Sequence, residues 1–222
     1  MTRAAVILSG CGHLDGTEIR EATIALLELD KRGIDVRCFA PDAPQAHVVN
    51  HATGEERKGE SRNCLDESAR VARGAVSPLR DADMDDFDML VLPGGFGAAK
   101  NVSSLAFDGK NASVIPDYAR CVLACLERGV PIAAICISPA VLTAAVKGKY
   151  SPRVTIGDDE QGLIAGLGGI HVACATHDAV FDDALKIASC SAYMRGDARL
   201  KDVAEGVAKA IEQACIWATE KK

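Results

Sequence analysis

Short, nearly continuous apolar runs recur along this chain, each stopped by Gly, Pro or Cys: Val6-Ile7-Leu8, Val36-Arg37-Cys38-Phe39, Met89-Leu90-Val91-Leu92 and Ile132-Ala133-Ala134-Ile135. Apolar residues at consecutive positions suit strands covered on both faces, which is the environment of a parallel sheet. Between the first two runs, Ile19, Ala22, Thr23, Leu26 and Leu27 follow i, i+3, i+4 spacing, with Asp15 or Thr17 placed to cap the start and Lys31-Arg32-Gly33 to close the end. The unit reads as βαβ. Further helices are expected from about Val114 to Arg128, ended by Gly129 with Pro131 beyond, and from Asp202 to Ala218, with Val203, Val207, Ile211 and Ala214 on one side. The polar stretch from Pro41 to Pro78 regains helical spacing between Arg62 and Arg73 and reads as an excursion from the sheet rather than a linker. Strands alternating with helices predict an α/β sandwich around a mostly parallel sheet, in one domain over residues 1–222.

Charge and cysteine usage narrow the function. A net charge of −6 with scattered Lys and Arg offers no footprint for a phosphate backbone or an anionic membrane, so no nucleic-acid or membrane partner is expected. No run of 18 apolar residues occurs, and the apolar stretch near Met1 is too short for a signal-peptide core. The nine cysteines are odd in number and lack paired CxxC spacing, which points to a reducing compartment, the cytosol. Cys121 and Cys125 share a helix face but have no second pair to complete a tetrahedral set, so no metal is expected.

Ligands of open α/β sheets bind beyond the carboxyl ends of the strands, which selects three segments: Ser9 to Glu18, Pro93 to Asn101, and Cys136 to Pro139. Cys136 follows an apolar strand directly and precedes a Pro- and Ala-rich helix start, so it occupies a strand-to-helix elbow. There the helix dipole and free N–H groups favour an anion, and a lowered thiol pKa is expected. Pro93-Gly94-Gly95-Phe96-Gly97 lacks both the G-x-G-x-x-G spacing and the Walker Lys-Ser/Thr, so no nucleotide cofactor is expected. Its glycines instead leave backbone N–H groups unshielded. One of these N–H groups would then supply half of an oxyanion hole and the N–H of Ile137 the other half, with a plain Gly-rich turn as the alternative.

An acid completes the set. Glu18 and Glu21 stand one turn apart on the first helix, and either can reach the carboxyl edge of the sheet. A carboxyl against the thiol would be held protonated, because each group disfavours ionisation of the other, and it could then shuttle protons. None of the five histidines follows Cys136; His13 and His177 lie best placed by strand-end position.

Taken together, the elbow Ala133 to Ala140, the loop Val91 to Asn101 and the Glu of the first βα turn resemble the ThiJ/PfpI branch of the class I glutamine amidotransferase-like superfamily. Segments 5–12, 15–19, 38–42, 50–55, 61–63 and Ser191-Ala192-Tyr193-Met194 narrow the resemblance, over nearly the whole chain, to the enhancing lycopene biosynthesis proteins, also called isoprenoid biosynthesis glyoxalases. The resemblance implies a flavodoxin-like three-layer sandwich with a nucleophile elbow, a homodimer and no cofactor. It places the nucleophile at Cys136, the acid at Glu18 with Glu21 as the alternative, and the oxyanion contacts at Gly95 and Ile137. Activities across the superfamily include glutathione-independent glyoxalase, deglycase, protease and chaperone functions, and the subfamily is linked to isoprenoid yield.

Two departures weigh on the reaction. Protease-like members carry His directly after the nucleophile, where this chain has Ile137, and others carry a His near the position of Gly157. Amide hydrolysis needs a base for the nucleophile and an acid for a poor leaving group, whereas an aldehyde asks for less. The expectation is a cofactor-free glyoxalase, a lyase of the hydro-lyase type acting on methylglyoxal or glyoxal, with a redox-sensing regulator as the rival and an amidase or protease third.

Overall fold

The computed structural model describes residues 1–220. Seven strands form one sheet: β1 Arg3–Ile7, β2 Asp35–Ala40, β3 Val76–Pro78, β4 Met89–Leu92, β5 Ile132–Ile135, β6 Val180–Asp182 and β7 Ile187–Cys190. Their order is β6-β7-β5-β4-β1-β2-β3, and all neighbours run parallel except β6 against β7. The chain steps outward from β1 through β2 to β3, then returns to β1's other side with β4. The switch point therefore lies between β1 and β4, and a crevice opens at their carboxyl ends.

Alternation along the strands builds two cores. Ala5, Ile7, Leu90, Leu92, Ile132 and Ala134 face one way and meet helices α4 (Pro116–Arg128) and α5 (Ser138–Ala145). Ala4, Val6, Met89, Val91, Ala133 and Ile135 face the other and meet α1 (Ile19–Lys31) and α6 (Leu200–Glu220). Period-two geometry with both faces apolar yields the expected three-layer, flavodoxin-like sandwich.

Several boundaries move for identifiable reasons. α4 starts at Pro116 rather than Val114, because Ile115 precedes a proline and is held extended, at φ −60° and ψ 144°. It ends as expected: Gly129 is left-handed at φ 63°, and the Val130 N–H reaches back to the Cys125 carbonyl at 2.8 Å. The Pro41–Pro78 excursion contains a two-stranded ribbon (Val49–Asn50 with Glu55–Glu56) and α2 (Cys64–Val71), capped by the Asn63 side chain at the Leu65 N–H. Its end rejoins the sheet as the edge strand β3.

The cap and inward face of α1 both differ from the sequence reading. Glu18 is the N-cap, its Oε2 accepting from the Glu21 N–H at 2.6 Å. Asp15 and Thr17 are engaged elsewhere: Asp15 accepts from the Val49 N–H at 2.7 Å, and the Thr17 hydroxyl accepts from the Ser9 N–H at 2.7 Å. The buried face carries Glu21, Ala22, Ala25, Glu28 and Leu29, while Ile19 and Leu27 are about half exposed, at 46% and 48%. The helix is thus rotated relative to its apolar stripe. Glu28 tolerates its position because Lys31 and Arg32 pair with it at 2.7 and 2.5 Å.

Beyond β1 and β4 the two loops interlock through the backbone, the second running into the short helix α3 (Phe96–Lys100). Glu18 N–H donates to the Gly94 carbonyl at 3.0 Å, Phe96 N–H to His13 at 2.8 Å, and Gly97 N–H to Gly16 at 2.8 Å. A Cβ on Gly97 would sit 2.3 Å from the Ser9 carbonyl oxygen, whereas one on Gly129 would meet nothing within 4 Å. Gly129→Ala therefore pays only for left-handed backbone and is expected to cost about 1 kcal/mol. Gly97→Ala must push two backbones apart, and a loss of more than ~3 kcal/mol is expected in urea unfolding; equal costs would contradict the interlock.

Candidate functional site

Cys136 sits where β5 turns into α5, with its backbone at φ 63°. For a residue with a Cβ this left-handed conformation costs roughly 1–2 kcal/mol, so neighbouring contacts must hold it. The Cys136 N–H donates to the Cys190 carbonyl at the end of β7 at 2.9 Å, and the Ser138 hydroxyl donates to the Pro93 carbonyl at 2.7 Å. The elbow is pinned to the strands on both sides. Its thiol is turned toward the crevice, where the backbone N–H groups of Gly95 and Ile137 donate to the sulfur.

The carboxyl that meets the thiol is that of Glu21 rather than Glu18. It is wholly buried and hydrogen-bonds Cys136, while Oε2 accepts from the Gly94 N–H at 3.1 Å and Oε1 from the Tyr193 N–H at 3.2 Å. A Cβ on Gly94 would lie 2.4 Å from Cys136 Cβ and 2.6 Å from Glu21 Oε2. Only glycine lets the acid and the thiol meet there. Glu18 is part-buried, caps the helix and lines the pocket beside the pair.

Burial, and secondly the Glu18 charge, push the Glu21 carboxyl up to about 8 from an ordinary 4.5, against the pull of the Tyr193, Cys136 and Gly94 hydrogen bonds. The Cys136 thiol is also pushed up, by burial first and by Glu21 second, while the Gly95 and Ile137 N–H groups draw it down. The lowered thiol pKa expected from the helix start is thus not found. A short helix dipole and two N–H groups do not outweigh complete burial beside a carboxyl. The two groups titrate as a unit, and each ionises at the other's expense.

In front of the pair lies a cavity of about 320 Å³. Phe96, Ile137, Tyr193 and Met194 make its apolar walls, and His13 and Glu18 stand at its polar side. His13 therefore borders the site, its ring edge-on to His51 with centroids 5.1 Å apart. His177 does not line it; that side chain is exposed beside Asp178. Gly157 is left-handed at φ 87°, and a Cβ there would meet Ser191 Cβ at 3.0 Å, so a His in its place would be strained. Tyr193 and Met194 belong to the Ser191–Met194 motif, whose role the sequence did not disclose. Among the described residues no group of three or more His, Cys, Asp or Glu side chains is arranged to hold a metal ion, and no helix is long and apolar enough to cross a membrane.

This geometry, a strained cysteine elbow against a buried Glu, agrees with a match of residues 11–155 to the DJ-1/PfpI family. The chain belongs to the DJ-1/PfpI family. It is 39% identical over 203 residues to the human glutamine amidotransferase-like class 1 domain-containing protein 3, mitochondrial, covering 86% of this chain and 75% of the human protein. The rat ES1 protein homolog, mitochondrial, matches with the same identity and coverage. An isoprenoid biosynthesis protein with amidotransferase-like domain from Ehrlichia chaffeensis superposes with a TM-score of 0.93 at 45% identity, over 98% of this chain and 99% of that one. Glyoxalase III from Candida albicans shares the DJ-1/PfpI fold at a TM-score of 0.59 and 14% identity, over 96% of this chain and 97% of its own.

The buried acid makes stability depend on pH with a definite sign. Glu21 holds its proton more tightly in the folded than in the unfolded chain, so its contribution is complete below about 4.5 and is lost as pH rises through about 8. Wild type should lose about 1.4 kcal/mol per pH unit across that window relative to Glu21→Gln. Urea unfolding of both proteins from pH 4 to 9 reads the difference. Glu18→Gln keeps an oxygen for the cap but removes the charge, so the upper end of the window should move down; an unmoved window would show that Glu18 does not act on Glu21.

Proposed function

We propose that this protein is a cofactor-independent glyoxalase that converts methylglyoxal or glyoxal to a 2-hydroxy acid. The observation that carries the reading is the Glu21 carboxyl, buried against the Cys136 thiol and raised to about 8, where a group can both take and give a proton near neutral pH. In this reading Cys136 Sγ bonds to the aldehyde carbon and the thiol proton passes through Glu21 to the aldehyde oxygen. The N–H groups of Gly95 and Ile137 steady the negative charge as it forms. Glu21 then takes the hydrogen of the former aldehyde carbon as a proton and gives it to the former ketone oxygen, which forms the enediol; it next takes the proton of the hydroxyl on the sulfur-bearing carbon and gives it to the neighbouring carbon.

The product of that step is a thioester on Cys136, which water cleaves to the 2-hydroxy acid and the free thiol. The aldehyde carbon is oxidised by the two electrons that the ketone carbon gains, so no external oxidant enters the balance. Glu18 takes a different part from the one expected of it: it caps α1 and keeps negative charge beside Glu21. Ile137 after the cysteine, and the absence of a His at Gly157, weigh against amide hydrolysis. The rival sensor reading loses support from the same burial, because oxidation follows thiolate character and exposure.

The test is steady-state consumption of methylglyoxal with lactate measured as product. Cys136→Ala should abolish turnover, Glu21→Gln should lower kcat/KM by roughly 10²–10⁴-fold, and Cys38→Ala, a change in β2 outside the pocket, should leave it within about twofold. Loss of methylglyoxal without lactate would be thiol scavenging and would end the proposal.

A further inference from the structure

Resting on the glyoxalase reading, we infer that the preferred substrate is a 2-oxoaldehyde whose second substituent is apolar and of about phenyl size. The first ground is room. The cavity of about 320 Å³ holds the volume of roughly ten waters, whereas the three-carbon methylglyoxal takes that of roughly three. The second is the lining. Phe96, Ile137, Tyr193 and Met194 offer little hydrogen bonding to water, so the water left beside a small substrate is poorly held and its release favours an apolar group.

The walls are also placed to use that group. Tyr193 is fixed from outside by Arg20, whose Nη1 donates to the phenolic oxygen at 3.1 Å and whose guanidinium stands 5.9 Å from the ring centroid. Met194, unbranched and polarizable, adapts to an aromatic edge. Phe96, 49% exposed, lines the same cavity, with the Lys100 ammonium 4.9 Å from its ring centroid. The adjoining cleft shares His13, Glu18 and Tyr193 with the cavity and adds Arg20 and Ile19, so it is more polar than the cavity itself. A substituent on the carbon attached to Cys136 therefore meets apolar side chains within the cavity and a polar rim beyond it, which fits a group of phenyl size rather than a longer chain.

Each additional buried methylene-sized group is worth about fourfold in binding, so a phenyl in place of a methyl should raise kcat/KM at least tenfold. The experiment compares phenylglyoxal, read as mandelate, with methylglyoxal, read as lactate, in wild type and Phe96→Ala. A ratio above ten that falls several-fold in Phe96→Ala is expected. A turnover-free measurement runs beside it: protection of the wild type from thermal unfolding by phenylethane-1,2-diol and by propane-1,2-diol. The phenyl diol should protect at a concentration at least tenfold lower. Turnover of both aldehydes with equal kcat/KM and equal protection would overturn the inference and leave the glyoxalase reading standing. Turnover of neither aldehyde would overturn the glyoxalase reading and, with it, the oxoaldehyde as substrate, whatever the diols do.

Discussion

The hydrogen bond from the Glu18 N–H to the Gly94 carbonyl, 3.0 Å long, ties the start of α1 to the glycine loop after β4, and the site depends on that tie. It sets how far α1 advances over the carboxyl edge of the sheet. One turn further along the helix, Glu21 then falls against the cysteine elbow rather than into solvent. The companion bonds from Phe96 to His13 and from Gly97 to Gly16 remove the freedom that would let the loops part. Glycine is required at 94 and 97 by contact, since side chains there would collide with Cys136 or with the backbone of the first loop.

Burying a carboxyl beside a thiol is costly unless the pair retains a proton, and the surroundings of Glu21 are arranged for that. Glu21 receives two backbone N–H bonds, enough to orient it but not to overcome its burial. Cys136 likewise receives two, from Gly95 and Ile137. The result is a pair that can exchange one proton between oxygen and sulfur without either group leaving its hydrogen bonds. A histidine beside the cysteine would pair with the thiol as a cation; a neutral carboxyl acts as a donor instead, which suits an aldehyde oxygen better than an amine leaving group.

Four of the seven sheet strands, the elbow and the glycine loop were legible because they obey simple rules: consecutive apolar residues, a small residue at the strand end, a proline at the helix start. α1 was legible as a helix but not in orientation. Its apolar residues Ile19 and Leu27 lie about half exposed, while Glu21 and Glu28, seven residues apart and so two turns along one side, are buried. Binary patterning fails there because one carboxyl is needed at the thiol and the other is paired with Lys31 and Arg32. The seven-residue spacing of the two glutamates was the available signal. β3, β6 and β7 escaped for a different reason: three or four residues at or near the sheet's ends take their conformation from their neighbours rather than from pattern.

Tyr193 joins the two halves of the chemistry. Its backbone N–H holds Glu21 Oε1, while its ring walls the cavity and its hydroxyl is held by Arg20. Whatever presses on that ring therefore presses on the group that positions the acid. A ligand that fills the cavity rests on the residue whose N–H holds the Glu21 carboxyl, whereas a ligand too small to reach that ring does not. Fit at the apolar wall and placement of the proton are thus one property of this site, because they share a single residue and the short 3₁₀ turn, Ala192–Met194, that carries it.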